Sequence, residues 1–427
     1  MNVIGRSQTL YSRHYLPRGK TTMPEYKGIA FLRNKLAQKR GRIDLRYRFY
    51  EMKYFAKDME ISTPPKLRGW MSSFGWCGKA VDSLADRLVL RGFENDTYGM
   101  SDIYLLNNLD VLADSAVLGA LICACSFIYI SQDDSGFAQM RVIDGRDATG
   151  IIDPITNMLT EGYAVLEADK VTGNPKVEVY LLPYETWLYE DGKHVSTFRH
   201  PAPYPLLVPV IYRPDAKRPF GHSRISRACM DYQNSAARTV KRSEIAAEFY
   251  SYPQKYILGM DSDAERMDKW QATMSAMLRI DKDEDGDKPV VGQFQQQSMT
   301  PHIEQLRMFA GLFAGETGLT LDDLGFPSAN PSSSEAIKAS HETLRLTARK
   351  AQRTLGTGFI NAGYLAACLR DGMDYKRNQM ARTKVSWEPI FEPDISAIGA
   401  VGDAVGKIQT AFPDYFTEDK LRELTGI

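Results

Sequence analysis

The spacing of apolar positions divides the chain into helical and strand-forming stretches, and its strongest helical signal lies mid-chain. Pro219 and Gly221 break the structure before it, and Ser223 stands where an N-cap belongs. No further proline or glycine occurs until Pro253. At 100° per residue, Ile225, Ala228, Cys229, Tyr232, Ala236, Val240, Ala247 and Tyr250 share one face. Arg227, Asp231, Asn234, Arg238 and Lys241 share the opposite one. The pattern predicts a helix over 223–249 with a packing side and a wet, charged side. Tyr252-Pro253 ends it, because the residue before a proline disfavours helix. Gln254 to Leu258 then reads as a strand.

Around this helix the patterns change repeatedly. Residues 1–24 are polar and basic, broken by Pro17, Gly19 and Pro24, and read as an arm ordered only through a partner. Glu25 to Met59 is helical on Ile29, Leu32, Leu36, Leu45, Phe49, Met52 and Phe55, with an interruption at Gly41; its bases read as a solvated face. A proline-stiffened linker (63–69) precedes an amphipathic helix over Cys77–Val89. A helix around Asp102–Leu118 follows. Strands at Ile122–Ser131, Phe137–Ile143, Gly162–Asp169 and Lys176–Leu182, separated by Gly, Pro and Asn turns, read as antiparallel hairpins.

After the central helix, a short helix around Ala264–Leu278, an acidic stretch and a strand Pro289–Phe294 are expected. Thr300 and Pro301 then open a helix with Ile303, Leu306, Phe309 and Phe313 as its packing stripe. Gly318 to Ser333 reads as a mobile loop ending at a second long helix, which starts at Ser334 and runs to Arg370, with Gly356 and Gly358 as places for a kink. Ile337, Leu344, Ala348, Ala351 and Leu355 mark its apolar face; Lys338, His341, Arg345, Arg349 and Arg353 mark another. One strand (383–394) and two short helices, Ala397–Phe412 and Thr417–Leu424, complete the chain.

Composition narrows the function classes. Lys+Arg and Asp+Glu are equal at 53 each, so there is no global attraction to nucleic acid. Charge is uneven along the chain: residues 1–60 hold 14 bases and 5 acids, and residues 261–287 hold 9 acids and 4 bases. The five cysteines are scattered and read as reduced thiols. The longest apolar run, Ala116–Ile130, is shorter than the ~18 residues a membrane span needs. Without a signal-peptide pattern, the expectation is a soluble protein, intracellular at synthesis, with no membrane partner. Asp281, Asp283, Asp285 and Gly286 open like an EF-hand loop, but Gly292 stands where the closing glutamate belongs, so an exposed acidic turn is expected. Gly75 to Ala80 has the wrong spacing for a phosphate loop; no second His follows His341-Glu342 at the zincin position, and no G-x-S-x-G elbow is present. The expectation is no catalytic residue, no metal and no cofactor.

Three stretches resemble portal proteins of tailed bacteriophages, of the siphophage type: PFGHSRISRACMDYQNSAARTVKRSEIAAEFYSYPQKYILG (219–259), RFYEMKYF with PPKLRGWMSSFGWCGKAVDSLADRLVLRGFE, and SMTPHIEQLRMFAGLFAGETGLTLDDLGF (298–326). The resemblance implies an α+β portal fold with an α+β wing, a two-helix stem, a small α/β clip, a long kinked helix and a short helical crown. On this reading 1–24 is an N-terminal arm, 25–222 the wing, 223–249 the first stem helix, 250–299 the clip and 300–318 the second stem helix. Residues 319–333 become a tunnel loop, 334–394 the long helix with a return strand, and 395–427 the crown. The family implies a homo-oligomeric ring of about twelve copies at one capsid vertex. It implies double-stranded DNA passing without sequence specificity, and terminase, major capsid protein, scaffold and a head–tail adaptor as partners. Its location would be the virion, with host cytoplasm during assembly. Asp322, Asp323, Leu324 and Phe326 would stand at the tunnel's narrowest point. Lys338, Arg345, Arg349 and Arg353 would either lie behind them or pair with acids of a neighbouring subunit. Arg227, Asp231, Asn234, Arg238 and Lys241 would form the wet face of the stem. The rival readings are another head structural protein, such as an adaptor or minor capsid protein, and a nucleic-acid-processing enzyme. The first lacks the helix–clip–helix–loop–long-helix order, and the second lacks its motifs.

Overall fold

A computed structural model describes residues 26–54, 69, 72–169, 171–251, 255–258, 290–293, 298–327, 334–391 and 395–411. In chain order the elements are α1 (Gly28–Tyr50), α2 (Trp76–Ala85), β1 (Leu90–Glu94), α3 (Met100–Leu106), α4 (Leu109–Cys123), β2 (Cys125–Gln132), β3 (Ala138–Ile143), β4 (Ala148–Ile152), β5 (Leu159–Ala168) and β6 (Pro175–Leu182). Then come β7 (Glu185–Glu190), β8 (Lys193–Arg199), β9 (Leu207–Ile211), α5 (Arg227–Ser251), β10 (Lys255–Leu258), β11 (Val290–Gln293), α6 (Thr300–Thr317), α7 (Ser334–Ser340), α8 (Glu342–Asp371), β12 (Lys384–Trp387) and α9 (Ile395–Ala411). The mixture of helix and sheet is α+β. Two compact units divide it: the described residues of Met1–Tyr47, Val81–Arg224 and Arg345–Ile427, and those of Arg48–Ala80 and Ile225–Leu344. The expected arm (1–24), the linker at 63–68, the helix Ala264–Leu278, the acidic turn Asp281–Gly286 and the helix Thr417–Leu424 lie outside the described residues.

The first unit is built on a five-stranded antiparallel meander, β4-β5-β6-β7-β8. Tyr163 and Val165 of β5 and Tyr180 and Leu182 of β6 alternate along their strands, and so present one face to Leu32 and Leu36 of α1. Two carboxylates share this buried layer, and both are satisfied. Glu161 accepts the Lys27 N–H at 2.8 Å, the Gly28 N–H at 3.0 Å and the Tyr180 hydroxyl at 2.8 Å. It thus places negative charge against the orphan donors at the start of α1. Glu178 pairs with Arg33 at 2.5 Å and accepts the Tyr163 hydroxyl.

Several bases of α1 do not belong to the solvated face expected from sequence, although Arg42 and Arg48 are exposed. Lys35 Nζ donates to the Gly150 carbonyl at 2.7 Å and Lys39 Nζ to the Ala148 carbonyl at 2.6 Å. Both carbonyls belong to β4, an edge strand whose outward groups need partners. Arg40 pairs with Asp147 at 3.0 Å, and Asp44 with Arg146 at 2.6 Å. These contacts attach the helix to the sheet, and α1 runs through Gly41 without interruption.

A three-stranded sheet, β3-β2-β9, packs with α4. The helix expected over Asp102–Leu118 is two helices bent by 89°. Asn107 explains the break. Its amide nitrogen donates to the Ile103 carbonyl at 2.8 Å and the Ala138 carbonyl at 2.9 Å, while its oxygen accepts the Met140 N–H at 2.8 Å. Asn107 therefore ends α3 and ties it to β3, and Asn108 turns the chain at φ 55. α4 continues to Cys123, so β2 starts at Cys125 and not at Ile122. The long C-terminal helix is interrupted at His341 and not at its glycines. A Cβ on Gly358 would lie 3.0 Å from the Val210 Cα and 3.1 Å from the Pro209 carbonyl oxygen. That glycine lets α8 press on β9. The late strand β12 pairs antiparallel with β1, in a two-stranded ribbon separate from the larger sheets.

Candidate functional site

The second unit holds α5, α6 and the loop after them, where the sequence concentrates its candidate residues. α5 begins four residues later than expected. Ser223 is buried and donates its hydroxyl to the Ile122 carbonyl at 2.6 Å, so it is not the cap. Ser226 takes that role, its Oγ accepting the Cys229 N–H at 3.2 Å. Arg227 and Asp231 are exposed, as the wet face requires, and Asn234 and Arg238 are half-buried. Lys241 corrects that face: it is only 6% exposed and belongs to the packed side.

Gln233 is the residue that periodicity passes over. It is buried, and its amide is used at both ends: Oε1 accepts the Cys77 N–H at 2.7 Å and Nε2 donates to the Phe74 carbonyl at 2.7 Å. A side chain of α5 thereby satisfies an orphan donor in the first turn of α2. Its position four residues after Cys229 is the only sequence signal for this, and its polarity masks it.

α6 lies antiparallel to α5. Ser226 donates to Glu316 at 2.7 Å, and further along Thr239 lies 3.1 Å from Gln305, so one helix is read upward while the other is read downward. Ala310, Phe313, Ala314 and Thr317 are buried, and the Phe313 ring stands 5.5 Å from that of Trp76. Leu306 and Phe309 of the expected stripe are half-buried, but Ile303 is 60% exposed and does not belong to it. Met308 and Leu312 are also exposed, and at 100° per residue they fall with Gly311 and Gly315 on the side away from Phe313. Between the two helices in sequence, β10 and β11 pair antiparallel from Lys255↔Gln293 to Leu258↔Val290.

Gly318 ends α6 at φ 71, its N–H donating to the Ala314 carbonyl at 2.8 Å. One turn of 3-10 helix follows at Asp322–Leu324. Asp323 organises this turn, accepting the Thr320 N–H and hydroxyl, each at 2.9 Å, and pairing with His341 Nε2 at 3.2 Å. Burial alone would raise its carboxyl, but the Thr320 donors and the His341 ring hold it below the ordinary range. Asp322 is exposed. Leu324 is 8% exposed and Phe326 half-buried, so this pair packs inward. Residues 328–333 of the expected loop lie outside the described residues. Lys338, Arg349 and Arg353 are exposed and Arg345 is half-buried; Lys338 falls in the second unit and the three arginines in the first. Among the described residues no group of three or more His, Cys, Asp or Glu side chains is placed to hold a metal ion, and no single helix is long and apolar enough to cross a membrane.

Residues 29–400 match the family described as phage portal protein, SPP1 Gp6-like. The portal protein of Mycobacterium phage L5 is 26% identical over 382 residues, covering 84% of this chain and 77% of that protein. The portal protein of Mycobacterium phage D29 is 26% identical over 385 residues, with the same coverage. Among solved structures, a chain from the virion of a native gene transfer agent particle is similar at a TM-score of 0.44 and 13% identity, covering 82% of this chain and 89% of that one. A chain from the neck of that particle, computed with C12 symmetry, gives 0.43 at 13% identity and the same coverage.

Proposed function

The chain belongs to the SPP1 Gp6-like phage portal protein family, and we propose that it works as a ring at one capsid vertex through which DNA is packaged and later ejected. The match across 29–400, in both units, carries this reading. The surface of α6 supports the ring itself. Met308 and Leu312 leave an apolar side uncovered within one copy, and Gly311 and Gly315 beside them let a neighbouring helix approach closely. A closed ring of about twelve copies gives every such face a partner.

The division of labour follows the order of the elements. The α5–α6 pair acts as stem, the β10–β11 ribbon as the base of a clip that meets terminase and a head–tail adaptor, and the turn at Asp322–Leu324 as the root of a tunnel loop. Residues 25–222 act as the wing facing capsid and scaffold, 334–394 as the long helix with its return strand, and 395–427 as the crown. The role is mechanical, with no bond broken by this chain: a separate motor moves the DNA. A conduit must guide DNA without holding it, since each phosphate neutralised adds salt-dependent affinity. Equal numbers of acids and bases suit that demand. Electron microscopy of the purified protein, alone and with capsid and scaffold proteins, tests the reading. Rings with a central hole are expected; a chain that stays monomeric under both conditions overturns it.

A further inference from the structure

The corner between α3 and α4 exposes three large aliphatic side chains within seven residues: Leu105 is 71% exposed, Leu106 68% and Val111 69%. This corner is built and not frayed, because Asn107 fixes it through three hydrogen bonds to Ile103, Ala138 and Met140. Exposed aliphatic side chains on a corner held in place are available to an apolar partner. Acids lie beside this corner. Asp110 and Asp114 are exposed on α4, and among the described residues Asp86, Asp110 and Asp114 form no ion pair. Burial first, and then the like charges of Asp110 and Asp86, push the Asp114 carboxyl upward.

We infer that this corner is the docking site of the chain's own N-terminal segment, Met1–Pro24. That segment carries Arg6, Arg13, Arg18 and Lys20 and no acid, and its apolar residues include Val3, Ile4, Leu10, Tyr11 and Leu16. It matches an acidic, apolar surface in both respects. Its reach is sufficient. Tyr47 near the end of α1 and Cys123 at the end of α4 both contact Asp144. Following α1 back to Gly28 and α4 back to Leu109 at 1.5 Å per residue, the corner lies at most roughly 65 Å from the start of α1. Twenty-four extended residues span about 80 Å. The inference does not depend on ring formation.

Limited trypsin digestion of the full-length protein, followed by mass spectrometry, reads the docking directly. Cleavage after Arg6, which lies within reach of the corner even at that upper distance, is expected to be at least tenfold faster in the double variant Leu105→Asp/Leu106→Asp than in the parent. Asp110→Lys/Asp114→Lys should accelerate it as well. Circular dichroism confirms that each variant is folded. As a second readout, Leu106→Cys labelled with a benzophenone maleimide is irradiated; the five native cysteines are buried and leave the new thiol as the reactive one. Crosslinks to peptides of residues 1–24 are expected. Equal cleavage rates in parent and variants, or crosslinks only to other sequences, overturn the inference. Protection of the arm in a protein that forms no rings leaves the inference standing while the ring reading fails.

Discussion

His200 shows how a single buried side chain sets a pH limit on the first unit. Burial pushes its imidazole down from 6.5 to about 4, against a weaker upward pull from the backbone at Glu185 and Ala202. The neutral ring is therefore the native form. Above pH 6.5 neither folded nor unfolded chain is protonated there, and the residue has no effect on stability. As pH falls from 6.5 towards 4 the unfolded chain binds the proton first, so stability is lost across that window and levels off below it. At 1.36 kcal/mol per pH unit the loss is at most about 3 kcal/mol. Urea titrations at pH 7 and pH 4.5 should show a smaller drop for His200→Leu than for the parent; equal drops refute this assignment. Individual residues are also where sequence reading is weakest. The wet face of α5 is legible at Arg227 and Asp231, yet Lys241 is buried and Gln233 caps another helix. Periodicity sorts residues by polarity, and a polar group with a tertiary partner escapes that sorting.

Elements are legible where a local rule decides them and illegible where a distant side chain does. The strands Lys255–Leu258 and Val290–Gln293 follow from propensity, and the helix Thr300–Thr317 from a proline in its first turn. The break at Asn107 depends on Ala138 and Met140, and the displaced start of α5 depends on a carbonyl at Ile122, none of which is near in sequence. Glycines divide in the same way. A Cβ added to Gly41 in α1 would meet nothing within 4 Å, whereas one added to Gly358 would meet β9 at 3.0 Å. Gly41→Ala should therefore stabilise by about 0.5–1 kcal/mol through reduced freedom of the unfolded chain. Gly358→Ala should destabilise by about 1–3 kcal/mol because backbone must move to admit the methyl group. Thermal melts of the two variants should shift in opposite directions. A common sign would show that helix propensity, and not packing against Val210, governs both sites.

At the scale of the whole assembly, a side chain near the axis acts as many times as there are copies. The two carboxylates of the turn after α6 differ in their surroundings. Asp323 is committed to Thr320 and His341, so changing it perturbs the turn before it perturbs any channel. Asp322 is exposed and is the residue with which to test the tunnel-loop proposal. Asp322→Lys alters the charge by two per copy, or about two dozen around a ring of about twelve. If the turn borders the channel, rings should assemble normally while DNA translocation slows, because lysines attract the phosphates that a carboxylate repels. The defect should deepen at low salt, where the Debye length grows from about 10 Å at 0.1 M towards 30 Å at 0.01 M. Asp323→Asn supplies the contrast, lowering thermal stability through the lost charge-assisted bonds at any salt concentration. A variant at Asp322 that packages at the parental rate in both high and low salt places this turn away from the DNA.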